Sequence, residues 1–185
     1  FCFGYINLLI GDKMENLEIQ IKNGEEIITI FYESLKQYHQ DTNYAMLAIT
    51  FKGLQGAFKL LENIPNRKSI KVLSAHPGTG VRDTFEFVTR VVTNNNFTLD
   101  CALPYANYNP HKQMGYYFEV SDGTRTVKLT LKENILQSKF FEFFSKSQKQ
   151  TLTKEDIKEF NDLKKLIEKD ALEKSPNEIF ELEIK

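Results

Sequence analysis

The chain has 185 residues, 24 Lys and Arg against 25 Asp and Glu, and a formal net charge of -1, so it carries no broad electrostatic footprint for nucleic acid or an anionic membrane. Hydrophobic residues make up 41% and charged residues 26%, which excludes a disordered chain and suits one globular domain. A chain of this length buries roughly 70% of its unfolded surface and needs no staples.

The stretch "FCFGYINLLI" at residues 1–10 is apolar. It lacks a basic flank and a small-residue cleavage site, and it is too short to span a bilayer. Met14 opens a more natural start, so residues 1–13 are read as a leader or appended segment and 14–185 as a single domain. "EEIITIFYESLKQYHQ" (25–40) spaces Ile27, Ile28, Ile30, Phe31, Leu35 and Tyr38 as a helix would. "NYAMLAITFKGLQGAFKLLENI" (43–64) is a second helix, apolar on most sides, as a buried central helix is. Gly53 and Gly56 lie inside it and each costs about 1 kcal/mol against Ala, which implies close packing or a bend.

"KSIKVLSA" (68–75) reads as a buried strand and "VRDTFEFVTRVVTN" (81–94) as a helix stopped by Asn94, Asn95 and Asn96. "FTLDCAL" (97–103) is a short strand candidate, and "PYANYNPHKQ" (104–113) a loop. "GYYFEV" and "TRTVKLTL" flank Ser121, Asp122 and Gly123, a strong hairpin signal. "KFFEFFSKS" (139–147) is a short helix, and 153–174 a charged helix that Thr153 and Asp156 begin with a capping-box pattern. "NEIFELEIK" (177–185) closes the chain as a strand. The order predicts an α+β fold, a mixed or antiparallel sheet packed with several helices.

Chemistry concentrates in "SAHPGTGVRD" (74–83). A glycine-rich turn from strand to helix aims free amides at one point, so Gly78, Thr79 and Gly80, with Arg82 as a clamp, form a candidate anion or small-ligand site. No lysine completes a phosphate-loop pattern, and the glycines equally suit a tight turn that needs positive φ. His39, His76 and His111 each fall near an element end or in a loop. His39 and His76 with Asp83 have the donor types of a zinc or iron site with an open position; the alternative is exposed or capping histidines. Cys2 and Cys101 make no CxxC motif and no disulfide framework, which suits a reducing, cytoplasmic setting. Tyr105, Tyr108, Tyr116 and Tyr117 cluster around the loop that holds His111 and suit either a pocket mouth or core packing. Phe140, Phe141, Phe143 and Phe144 load more than one face of one helix, which points to a homodimer contact or deep burial.

Several pieces together resemble one family, the FmdE-type domain of formylmethanofuran dehydrogenase. "DTNYAMLAITFKG" is similar to the family's His-Gly-His-x-Cys-Pro-Gly helix and its apolar run. "GVRDTFEFVTR" is similar to its Cys-x-x-Asp-Ala-x-Gln helix, with Asp83 and Thr89 matching and Glu86 in place of Gln. The hairpin "GYYFEVSDGTRTVKLTL" and the ending "SPNEIFELEIK" resemble the rest of the domain, so the likeness runs from about 25 to 185. The resemblance implies the family's α+β fold, a divalent metal such as zinc, and a role accessory to a redox or one-carbon enzyme. The departures bear on the metal: Tyr44 and Gly80 stand at the two Cys positions, and Gln40, Asp41 and Thr42 replace His-Gly-His. The expectation is therefore a cytoplasmic small-ligand or metal-binding module with no nucleic-acid or membrane partner. Its rivals are a stand-alone enzyme with an anion-binding turn at 76–83 and a degenerate interaction module.

Overall fold

The computed structural model describes residues 17–103 and 115–185. Its elements run β1 (Glu18–Asn23), β2 (Glu26–Phe31), α1 (Tyr32–Tyr38), α2 (Tyr44–Leu60), β3 (Lys71–Ser74), α3 (Thr79–Thr89) and β4 (Phe97–Leu99). Then come β5 (Tyr117–Ser121), β6 (Thr126–Leu131), α4 (Ser138–Gln148), α5 (Lys154–Glu173), the single turn α6 (Pro176–Ile179) and β7 (Phe180–Ile184). Five strands form a mixed sheet in the order β4-β3-β5-β6-β7, in which only β3 and β4 run parallel; β1 and β2 form a separate hairpin. The α+β expectation holds at that level.

The sheet has one apolar and one polar face, because side chains alternate along a strand. The register aligns Ser74, Phe118, Leu129 and Leu182 in one row and Val72, Val120 and Val127 in the next. Most of these side chains are fully buried. The opposite face carries Glu119, Lys128 and Glu183, with ion pairs Lys128–Glu183 (3.8 Å) and Lys185–Glu119 (3.3 Å). Helix α2 lies under the apolar face and is buried without a break from Ala45 to Ala57. Its two glycines are the points of closest approach: a Cβ on Gly53 would stand 3.0 Å from Leu129 and Phe180, and one on Gly56 2.7 Å from Leu182 and Pro176. Helices α3, α5 and α6 close the rest of its circumference.

Where structure and expectation differ, the reasons are local. Residues 26–31 are a strand, and the helix begins only at Tyr32. Asn23-Gly24 turns β1 into β2, with Gly24 at φ 70°, and the β-branched run that follows pairs Ile19 with Ile30 and Ile21 with Ile28. Helix α3 ends at Thr89, before the asparagine run, because Arg90 takes the left-handed conformation at φ 61° and Arg67 donates to the Phe87 and Val88 carbonyls. Its predecessor strand and β4 are shorter than expected, and residues 176–179 form a helical turn ahead of β7. The Asp122-Gly123 hairpin, with Gly123 at φ 96°, and the Thr153–Asp156 capping box form as the sequence predicts. The expected loop at 104–113, with His111, Tyr105 and Tyr108, lies outside the described residues. Among the described residues no helix is long and apolar enough to cross a membrane.

The four phenylalanines of α4 divide into two buried and two half-buried rings. Phe140 and Phe143 are buried, each against Phe160 of α5 at 5.5 and 5.4 Å between ring centres. Phe141 and Phe144 are half-buried against the same core.

Candidate functional site

The loop 39–43 joins α1 to α2 and lies against the start of α3. A Cβ on Gly80 would stand 3.1 Å from the Asn43 carbonyl oxygen and 3.3 Å from the Met46 Cβ. The starts of α2 and α3 are therefore neighbours, and Gly80 is a glycine because of that approach. Neither Gly78 nor Gly80 has a positive φ, so the conformational reason expected for them does not apply.

Two of the three expected metal ligands meet. His39 ends α1 and is buried; its Nδ1 lies 2.7 Å from Asp83 Oδ2 on α3. In the neutral ring, a carboxylate beside Nδ1 holds the proton there and leaves Nε2 with the lone pair. That Nε2 is buried and has no hydrogen-bond partner among the described residues. A buried polar atom left so costs about 1–3 kcal/mol. The pair borders a cavity of about 390 Å³ lined by Tyr38, His39, Gln40, Asp41, Thr79 and Asp83.

His76 does not join them. It is buried, 4.8 Å from the Tyr116 ring centre, and its Nδ1 accepts a hydrogen bond from the Gly78 amide at 2.9 Å. Burial pushes its pKa down to about 4, so the ring is neutral near pH 7 and carries its proton on Nε2. A protonated Nε2 is no metal ligand. Among the described residues no three His, Cys, Asp or Glu side chains gather to hold a metal ion. The donor set His39, His76 and Asp83 thus does not fit a tightly held zinc, since one imidazole nitrogen supplies too little. Cys101, the free cysteine among the described residues, is half-buried.

At the glycine turn one of the expected amides is already engaged. The Gly78 amide is occupied by His76, and a Cβ on Gly78 would strike the His76 ring at 2.5 Å. Thr79 lines the cavity, but Arg82 is exposed and stands outside that lining. Glu86 binds the Val92 and Thr93 amides at 2.8 and 3.1 Å and so shapes the chain after α3.

Two features were not foreseen in the sequence. Glu168 of α5 is buried and receives the Tyr32 hydroxyl (3.0 Å) and the Lys36 ammonium (2.8 Å), which lies over the Tyr44 ring. Burial and the adjacent Glu168 carboxylate raise the Tyr32 pKa, so the phenol stays protonated and donates. Lys164, also on α5, enters a second, smaller cavity with His76. Residues on a charged helix give no sequence signal for this, because only packing tells which of them face inward. No protein-family model and no curated protein gives a significant match to the chain.

Proposed function

We propose that the chain is a small-ligand-binding module resembling the FmdE domain, and that its ligand donates a hydrogen bond to His39 Nε2. The buried, unpartnered Nε2 beside Asp83 carries this reading: it is a basic lone pair held in orientation and lacking only its donor. The nearness of Gly80 to the 43–46 segment supports the resemblance, since both family metal-binding motifs start there. The cavity walls bear Asp41 and Asp83, so a neutral or cationic donor is favoured over an anion. Loop 39–43 has no regular structure and contributes His39, Gln40 and Asp41 to the cavity lining. The enzyme alternative built on the turn loses its clamp with Arg82 outside.

Nitrogen-15 NMR of the histidine side chains tests this with methylammonium, acetamide and phosphate as probes. The expected result is a shift of His39 Nε2 with the amine or amide probe, removed by Asp83→Asn. A response to phosphate alone, or to none of the three, overturns the reading.

A further inference from the structure

The second cavity, about 150 Å³, lies between the start of α2, the His76 turn and helices α4 and α5. We propose that it binds a small carboxylate with a short apolar body, the Lys164 ammonium and the His76 Nε2–H taking the carboxylate oxygens while Tyr116, Phe144 and Phe160 enclose the body. This goes beyond the His39 reading and rests on different ligand-binding side chains, with Asp41 lining both cavities.

Three observations support it. First, the Gly78 amide fills His76 Nδ1 as a donor, so the neutral ring must present a proton on Nε2. The hydrogen bonds of His76 among the described residues are those of its backbone with the Ser74 hydroxyl and of Nδ1 with the Gly78 amide, and none uses Nε2. Second, the half-buried Lys164 ammonium sits 4.3 Å from the Phe160 ring centre, and no carboxylate among the described residues forms an ion pair with it. Its charged form is disfavoured by burial and only partly restored by Asp41. An anion placed beside it restores the rest. Third, the aromatic walls and the volume suit a body about the size of benzene, which a cavity of roughly this volume holds in other proteins. Inorganic phosphate would leave those rings without a partner.

Among the described residues of the lining, Asp41 is the acidic one and opposes the ligand. It is exposed, and its Oδ1 already accepts from the Thr42 amide at 2.6 Å. It therefore weakens binding from the rim rather than blocking the site.

The test uses the whole chain with benzoate, butyrate and inorganic phosphate, read by His76 imidazole shifts and by titration calorimetry. Benzoate and butyrate should move His76 and leave the His39 Nε2 signal in place. Lys164→Met, which keeps the apolar stem over Phe160, should weaken benzoate at least tenfold. Asp41→Asn should tighten it. Undiminished binding by Lys164→Met, weaker binding by Asp41→Asn, an equal response to phosphate, or no His76 response would each overturn the proposal. Because the readout is His76, failure here leaves the His39 reading standing, and the reverse also holds.

Discussion

At the scale of single residues, the hydrogen-bond partner sets the chemistry more than residue type or burial does. His39 and His76 are equally buried, yet one has its Nδ1 on a carboxylate and the other on a backbone amide. In their neutral forms the first therefore offers a lone pair at Nε2 and the second a proton there. The lowered pKa of His76, about 4 against an ordinary 6.5, has a consequence for stability. As pH falls from 6.5 to 4 the unfolded chain takes up a proton that the native state refuses. Stability therefore falls through that window and the loss levels off below it, reaching on the order of 3 kcal/mol. Urea unfolding midpoints between pH 7 and 4.5 should show this slope, and His76→Gln should flatten it relative to the parent. An identical slope in both would mean that carboxylates alone govern acid unfolding.

At the scale of elements, the glycines of α2 set how near the helix comes to the sheet. Helix propensity alone favours Gly56→Ala by about 1 kcal/mol. The new Cβ would meet Leu182 and Pro176 at 2.7 Å, inside any real contact, and overpacking of that kind costs about 1–3 kcal/mol. The clash wins, so Gly56→Ala should lower the urea midpoint. A midpoint raised above the parent's would show that α6 and β7 yield freely. The same scale explains what was legible in the sequence. The Asp-Gly hairpin, the Thr153 cap and the apolar run of α2 were readable because their signals are local. Residues 26–31 misled because Ile27, Ile28, Ile30 and Phe31 satisfy a helical spacing as well as a strand's, and only pairing with β1 chooses between them.

At the scale of the whole molecule, α2 touches α1, α3, α5, α6, β6 and β7, and so ties the sheet to every layer of helices. Opening the sheet or the helices packed on it would uncover α2, while α4 docks chiefly on α5. Thermal unfolding should therefore be a single transition, with tyrosine fluorescence and far-ultraviolet circular dichroism coinciding, the chain having eight Tyr and no Trp. Two separated midpoints would mean that the β1–β2 hairpin or α4 unfolds on its own.

The sequence by itself determined the class of the fold, the central buried helix and most element positions. Each of these follows from composition, periodicity or turn chemistry within a few residues. It brought attention to His39, His76, Asp83 and the glycine turn, but not to how they divide. Only the tertiary structure joined His39 to Asp83 across 44 positions, turned His76 toward Gly78 and away from them, left Arg82 in solvent and brought Lys164 into the second cavity. These pairings depend on where α1, α3 and α5 dock around α2. Docking is settled by which side chains fit beside Gly53, Gly56 and Gly80, a matter of shape between distant segments that no local pattern carries.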